Sequence, residues 1–256
     1  MMLHYIKKEV DYGIRSGKFL VLLAGFLFFA LLTPVMLRYV LPGVLSGRGV
    51  PPQELSEMQA LTQADCIHIY MNDVFEMGTI LVVFTLCGLM AQEIRSHTLV
   101  LPLCAGKRYA GVIFGKLAAF GSSLLLILPA ALIVNALYSG LLFTFDTAVA
   151  PIVRAGSLQG VYMCFLLSCA VAWGSVVKKS VPAGFLTLAT GYGLHVAGSL
   201  FSLHAWLPSG LLVEAQRLAE DPGPQLPLTL AITVAGILGL SVWTWANLKR
   251  IDWNRR

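Results

Sequence analysis

Apolar positions along the chain gather into long runs without a formal charge: Phe19–Leu37, Met77–Gln92, Leu117–Phe145, Ala155–Val177, Ser180–Val213 and Pro222–Leu248. Most approach or exceed the roughly 20 residues a helix needs to cross the hydrocarbon core of a bilayer. The runs predict six spans, over residues 19–39, 74–92, 112–138, 157–177, 181–202 and 226–247. The second is the weakest, because Asp73 and Glu76 at its start must reach an interface. Ahead of the first span, Leu3, Ile6, Val10, Ile14 and Gly17 recur every three or four residues while Lys7, Lys8, Asp11, Arg15 and Lys18 occupy other faces. This pattern predicts an amphipathic helix over residues 3–17, lying along the inner membrane surface. A cleaved signal peptide is not expected, since the apolar stretch is a full span and Glu9 and Asp11 interrupt the basic segment.

The charges orient the spans. With both termini inside, the cytoplasmic segments hold Lys7, Lys8, Arg15, Lys18, Arg95, Lys107, Arg108, Lys116, Lys178, Lys179, Lys249, Arg250, Arg255 and Arg256, leaving outside only Arg38, Arg48, Arg154 and Arg217. Lys and Arg collect in the cytoplasmic loops of membrane proteins, so N-in, C-in is the predicted topology. Composition agrees: 57% hydrophobic and 12% charged residues fall short of the roughly 25–35% charge that keeps a soluble surface dispersed. The net charge of +5 then reads as a topology signal and a match to anionic inner-leaflet lipid, with no nucleic-acid partner expected. The predicted fold is a single all-α integral membrane domain over residues 1–256.

Reactive chemistry is absent from the pattern. Cys66 is expected outside, Cys87, Cys164 and Cys169 within spans and Cys104 inside, which leaves no extracellular disulfide pair. The five histidines are scattered without an i, i+3 or i+4 partner, so no metal site is expected. Gly111 to Leu117 is one residue short of a phosphate-binding loop and has Leu117 where a magnesium-binding hydroxyl must stand. Leu45-Ser46-Gly47-Arg48-Gly49 lies among prolines in the first outer loop and reads as a turn. No catalytic residue is assigned, for the spans hold no acid, base and nucleophile in register. His195, as an intramembrane ionisable residue, is a candidate functional group. Gly184, Gly191, Gly193 and Gly198 give the fifth span a thin side, which makes Gly184, Gly191 and His195 candidates for a path or dimer face, with ordinary packing the alternative. In the outer segment, Pro51-Pro52 and Glu54, followed by Leu55, Met58 and Leu61, predict a short surface helix reaching about Asp65.

The connection between spans two and three, Glu93 to Tyr109, is longer than a hairpin requires and mixes charge with apolar residues, which predicts a short amphipathic cytoplasmic helix. An acidic residue closing span two, a Thr-Leu element, a leucine turn, a basic pair and a Gly-Lys opening span three stand here as Glu93, Thr98-Leu99, Leu101, Lys107-Arg108 and Gly115-Lys116. In this the chain resembles the permeases of ABC-2-type transporters, and the amphipathic N-terminal helix, six spans and proline-containing outer segment from Leu203 to Pro224 extend the resemblance. His97 stands where that family has Gly, and Gly106 where it has Pro.

The resemblance implies a non-catalytic membrane subunit of an ATP-driven exporter. A separate cytosolic ABC ATPase would bind ATP and magnesium, no cofactor would sit on this chain, and two permeases, as a homodimer, would assemble with two ATPases. The coupling helix between spans two and three would dock into the ATPase through Glu93, Arg95, Thr98, Leu99, Leu101, Lys107 and Arg108. Small permeases of this kind resemble those that export amphipathic peptides, so an amphipathic peptide is the first expectation for cargo. A drug or lipid exporter, or a non-transporting sensor or scaffold for an ATPase, are the alternatives. The expected location is the cell membrane, as a multi-pass protein of a bacterium.

Overall fold

The computed structural model describes residues 2–47, 61–99, 109–218 and 223–250, and every regular element among them is helical. Helix α1 (Met2–Arg15) stops at Gly17, whose left-handed φ of 69° turns the chain at little cost for a residue without Cβ. Phe19 then lies over Gly13, where any β-carbon would collide with its ring. Helix α2 (Lys18–Val44) starts at once and is the first of the long apolar rods.

Pro34 lies inside α2 and has no N–H to offer the carbonyl of Ala30 four residues earlier. In lipid a freed carbonyl must find another donor. Asn135, from the neighbouring helix α4 (Tyr109–Leu142), supplies it: Nδ2 donates to Ala30 O at 2.9 Å from a side chain that is fully buried.

Helix α3 (Gln63–Arg95) is longer than the predicted second span. Residues 61 and 62 are not helical, so the surface helix predicted up to about Asp65 does not reach that far; residues 48–60 lie outside the described ones. Thr62 and Asp65 form a reciprocal capping box at the start of α3. Gln63 donates to Ala136 O at 2.7 Å and accepts the amides of Asp146 and Thr147 at 2.8 and 3.0 Å, which binds the turn after α4 to the start of α3. Cys66, expected in an outer loop, is buried in this rod. Val74–Gly78 is a π-helical segment. Neighbouring side chains serve carbonyls in and beside it: Gln159 donates to Met71 O at 3.1 Å and Tyr192 Oη to Glu76 O at 2.6 Å.

Helix α5 (Val149–Val177) is the centre of the bundle, 72% buried over its most apolar stretch, and touches α3 and α4 together with α6 (Ser180–Phe201), α7 (Gly210–Ala215) and α8 (Leu226–Lys249). Gly156 of α5 sits on the backbone of Pro129, where a β-carbon would come within 2.6 Å, so the two helices approach as closely as small residues permit. Helix α8, 11% buried over the same measure, is peripheral. The segment between α6 and α8 folds back on the bundle: a 3₁₀ turn (His204–Trp206) leads to α7, which buries Leu211, Leu212 and Ala215.

Helices occupy all six predicted spans, and five of them (α2, α3, α4, α5 and α8) are long and apolar enough to cross a membrane. Helix α6, the predicted fifth span, has 22 residues but is not among the five. Its threonines, glycines, Tyr192, His195 and Ser199 dilute its apolar content.

A buried charge cluster as candidate functional site

The helical repeat of about 100° per residue sorts α1 into three sectors. Tyr5, Glu9 and Gly13 face the bundle, and the backbone of Tyr5 lies against Gly115 while its ring covers Gly111, two positions of α4 where a side chain would collide. Leu3, Val10 and Ile14 form an apolar strip, with Leu3 and Ile14 exposed. Lys7, Lys8, Asp11, Tyr12 and Arg15 form an exposed polar side. The predicted amphipathic helix is therefore present, with Glu9 on its buried side.

The reason lies in α4. Lys116 is wholly buried, and its ammonium lies 3.0 and 3.2 Å from the two carboxylate oxygens of Glu9 and 2.9 Å from Oε1 of Glu93. Lys8, half-exposed, stands 3.7 Å from Glu9 and 3.8 Å from Glu93. Two cations and two anions make a neutral group that joins α1, the end of α3 and the start of α4. Glu93 lies in the last turn of α3, where the helix dipole disfavours an anion, so the two lysines offset a local cost. Beside the cluster, Lys18 donates to Thr85 O at 3.0 Å near the break in α3 at Cys87. Lys116, one of the cytoplasmic charges from which the topology is predicted, is instead a structural cation without solvent contact.

After Arg95 the chain closes α3 with a Schellman motif. The amide of Thr98 donates to Glu93 O at 3.2 Å and that of His97 to Ile94 O at 3.3 Å, with His97 at a φ of 54°. Ser96 and Thr98 hydroxyls donate to Gln92 O and Glu93 O. Arg95 and Thr98 are exposed, whereas Leu99 is 2% exposed and belongs to the chain's own core. Leu101, Lys107 and Arg108, with the predicted coupling helix, lie outside the described residues.

The residues singled out on the fifth span lie elsewhere. Gly184 packs on Cys87 of α3, and Gly191 on Leu166 and Tyr162 of α5, so both serve contacts within the chain. His195 lies with its ring 4.5 Å from that of Phe75 and 6.1 Å from His204, and its buried Nδ1 has no hydrogen-bond partner. Among the described residues no group of three metal-ligating side chains occurs.

Sequence reading finds Glu93 and Lys116 as motif residues but misses Glu9. The available signal is an acid on a basic amphipathic helix, one step from its apolar stripe. The cluster places no nucleophile beside a base and pairs each of its charges; what it does is hold three helix ends together. Among the described residues, fold and site are those of an all-helical protein with five helices long and apolar enough to cross a membrane and a largely buried ionic junction at one end of the bundle. No family model matches the chain, and no curated protein matches it.

Proposed function

We propose that the chain is the membrane-spanning permease subunit of an ATP-binding-cassette exporter of the ABC-2 type. In this reading all six helices, α6 included, span the bilayer with both termini inside. A separate cytosolic ATPase supplies the energy, two permeases pair, and an amphipathic or hydrophobic substrate, foremost a peptide, is the cargo.

The observation that carries the reading is the buried Lys116 bridging Glu9 and Glu93. A partner that pushes on the connection after α3 needs a stiff lever, and the cluster welds α1, α3 and α4 into one block at the place where the push would arrive. The Schellman closure after Arg95 adds to this, because force passes directly from the turn into α3. The exposed Arg95 and Thr98 are then docking residues, while Leu99 supports the turn from within.

Co-expression with a candidate ABC ATPase, followed by ATPase assays in liposomes with a panel of amphipathic peptides, tests the reading. Peptide-stimulated hydrolysis that falls about tenfold in Arg95→Glu, the loss expected when an interface arginine is reversed in charge, with the permease still folded, is the supporting result. Failure of any ABC ATPase to co-purify, with no peptide flux from reconstituted vesicles, overturns it.

A further inference from the structure

Two features fix α1 in space. Only Ser16 and Gly17 separate it from α2, and its buried side rests on Gly111, Gly115 and Lys116, close to the start of α4. Both α2 and α4 are long and apolar enough to cross a membrane. A helix tied within a few residues to the same end of two such rods lies at the level of the lipid headgroups.

The Glu9–Lys116 pair also fixes the roll of α1 about its own axis. With Glu9 turned inward and Val10 packed against the core, the outward surface divides into the apolar pair Leu3 and Ile14 and, next to it, the polar side bearing Lys7, Lys8 and Arg15 against a single acid, Asp11. Among the described residues Lys7 and Arg15 have no ion-pair partner in the chain, and both are exposed. An apolar strip beside a basic one, at headgroup depth, matches one kind of surface: acyl chains bordered by anionic phosphates.

We propose that α1 is an anionic-phospholipid site, in which Lys7 and Arg15 hold headgroup phosphates while Leu3 and Ile14 insert among the upper acyl carbons. Lys8 is divided between this surface and the buried cluster, so lipid binding and the seating of α1 share a residue. The inference needs only membrane embedding and holds whatever the chain transports.

The full chain in nanodiscs of mixed phosphatidylcholine and phosphatidylglycerol tests it, with spin-labelled lipids reporting the fraction of each held at the protein. The native chain is expected to enrich phosphatidylglycerol, and Lys7→Gln/Arg15→Gln to lose that preference by roughly threefold or more, since each surface cation contributes measurably to anionic-lipid binding. Lys178→Gln/Lys179→Gln removes the same charge from another exposed turn and is expected to change it little. Inorganic phosphate at millimolar concentration should not compete, because the site takes a lipid surface. An unchanged preference in Lys7→Gln/Arg15→Gln, an equal loss in the control, or competition by free phosphate each overturns the proposal. So does a result in which the double variant loses only its binding to an acidic protein partner.

Discussion

The ammonium of Lys116 and the carboxylate of Glu9, 107 positions apart in the chain, meet at 3.0 Å with no water access to the lysine. Removing Lys116 leaves the buried carboxylate of Glu9 with only the more distant, half-exposed Lys8 beside it, and breaking a buried pair in this way costs about 3–5 kcal/mol. Lys116→Met should therefore lower the thermal unfolding midpoint in detergent sharply. The triple variant Glu9→Gln/Lys116→Met/Glu93→Gln, which leaves no buried charge in the core of the cluster, should recover most of the loss. A small effect of Lys116→Met alone would show that the cluster is hydrated.

His97 occupies the left-handed position that closes α3. Such a conformation costs a residue with a side chain about 1–2 kcal/mol, against roughly 0.5–1 kcal/mol of extra freedom that glycine loses on folding. His97→Gly should raise stability by about 0.5–1 kcal/mol, the difference between those two costs, and His97→Val should lower it. Calorimetry of the purified variants checks both signs.

Asn135 serves the carbonyl that Pro34 leaves free. Asn135→Leu should destabilise by about 1–3 kcal/mol through an unsatisfied Ala30 carbonyl. Pro34→Ala in the same background should restore part of it, because the substituted residue regains an N–H that can donate to Ala30. Simple additivity of the two substitutions would contradict this coupling.

Whether α6 crosses the bilayer is decided by labelling single cysteines placed at Lys179 and Arg217 in an otherwise cysteine-free chain. Six spans predict reaction of the first only from inside and of the second only from outside. Reaction of both from one side would leave five spans.

Much of this architecture is legible in the linear pattern. Charge-free runs locate helices because lipid leaves few other structures possible, and the three-to-four spacing of Leu3, Ile6, Val10 and Ile14 reveals α1. The start of α3 is not legible, because Gln63, Asp65, Asn72 and Asp73 look like loop residues until their partners are known. Gln63 is satisfied by Ala136, Asp146 and Thr147, and Asp73 by the hydroxyl of Thr33 at 2.8 Å. The π segment carries no local mark, since the groups that serve the carbonyls of Met71 beside it and Glu76 within it, Gln159 and Tyr192, come from other helices. The cluster is half legible: Glu93 and Lys116 flank the connection after the second span and draw notice there, but their third partner, Glu9, lies far upstream on another helix. The positive φ of His97 is not legible, because the residue there is not the glycine that would announce a left-handed turn.

The cluster also imposes an order in time. Glu9 leaves the ribosome well before its counter-ion, which lies at the start of the third long rod. Until α4 has entered the membrane, Glu9 lacks its buried counter-ion and has only the half-exposed Lys8 beside it, and α1 lacks the surface of α4 on which it seats. Nascent chains that stop before Lys116 should leave α1 loose and open to protease, and those that extend through α4 should protect it. An acid made early thus reports that a rod made later has arrived.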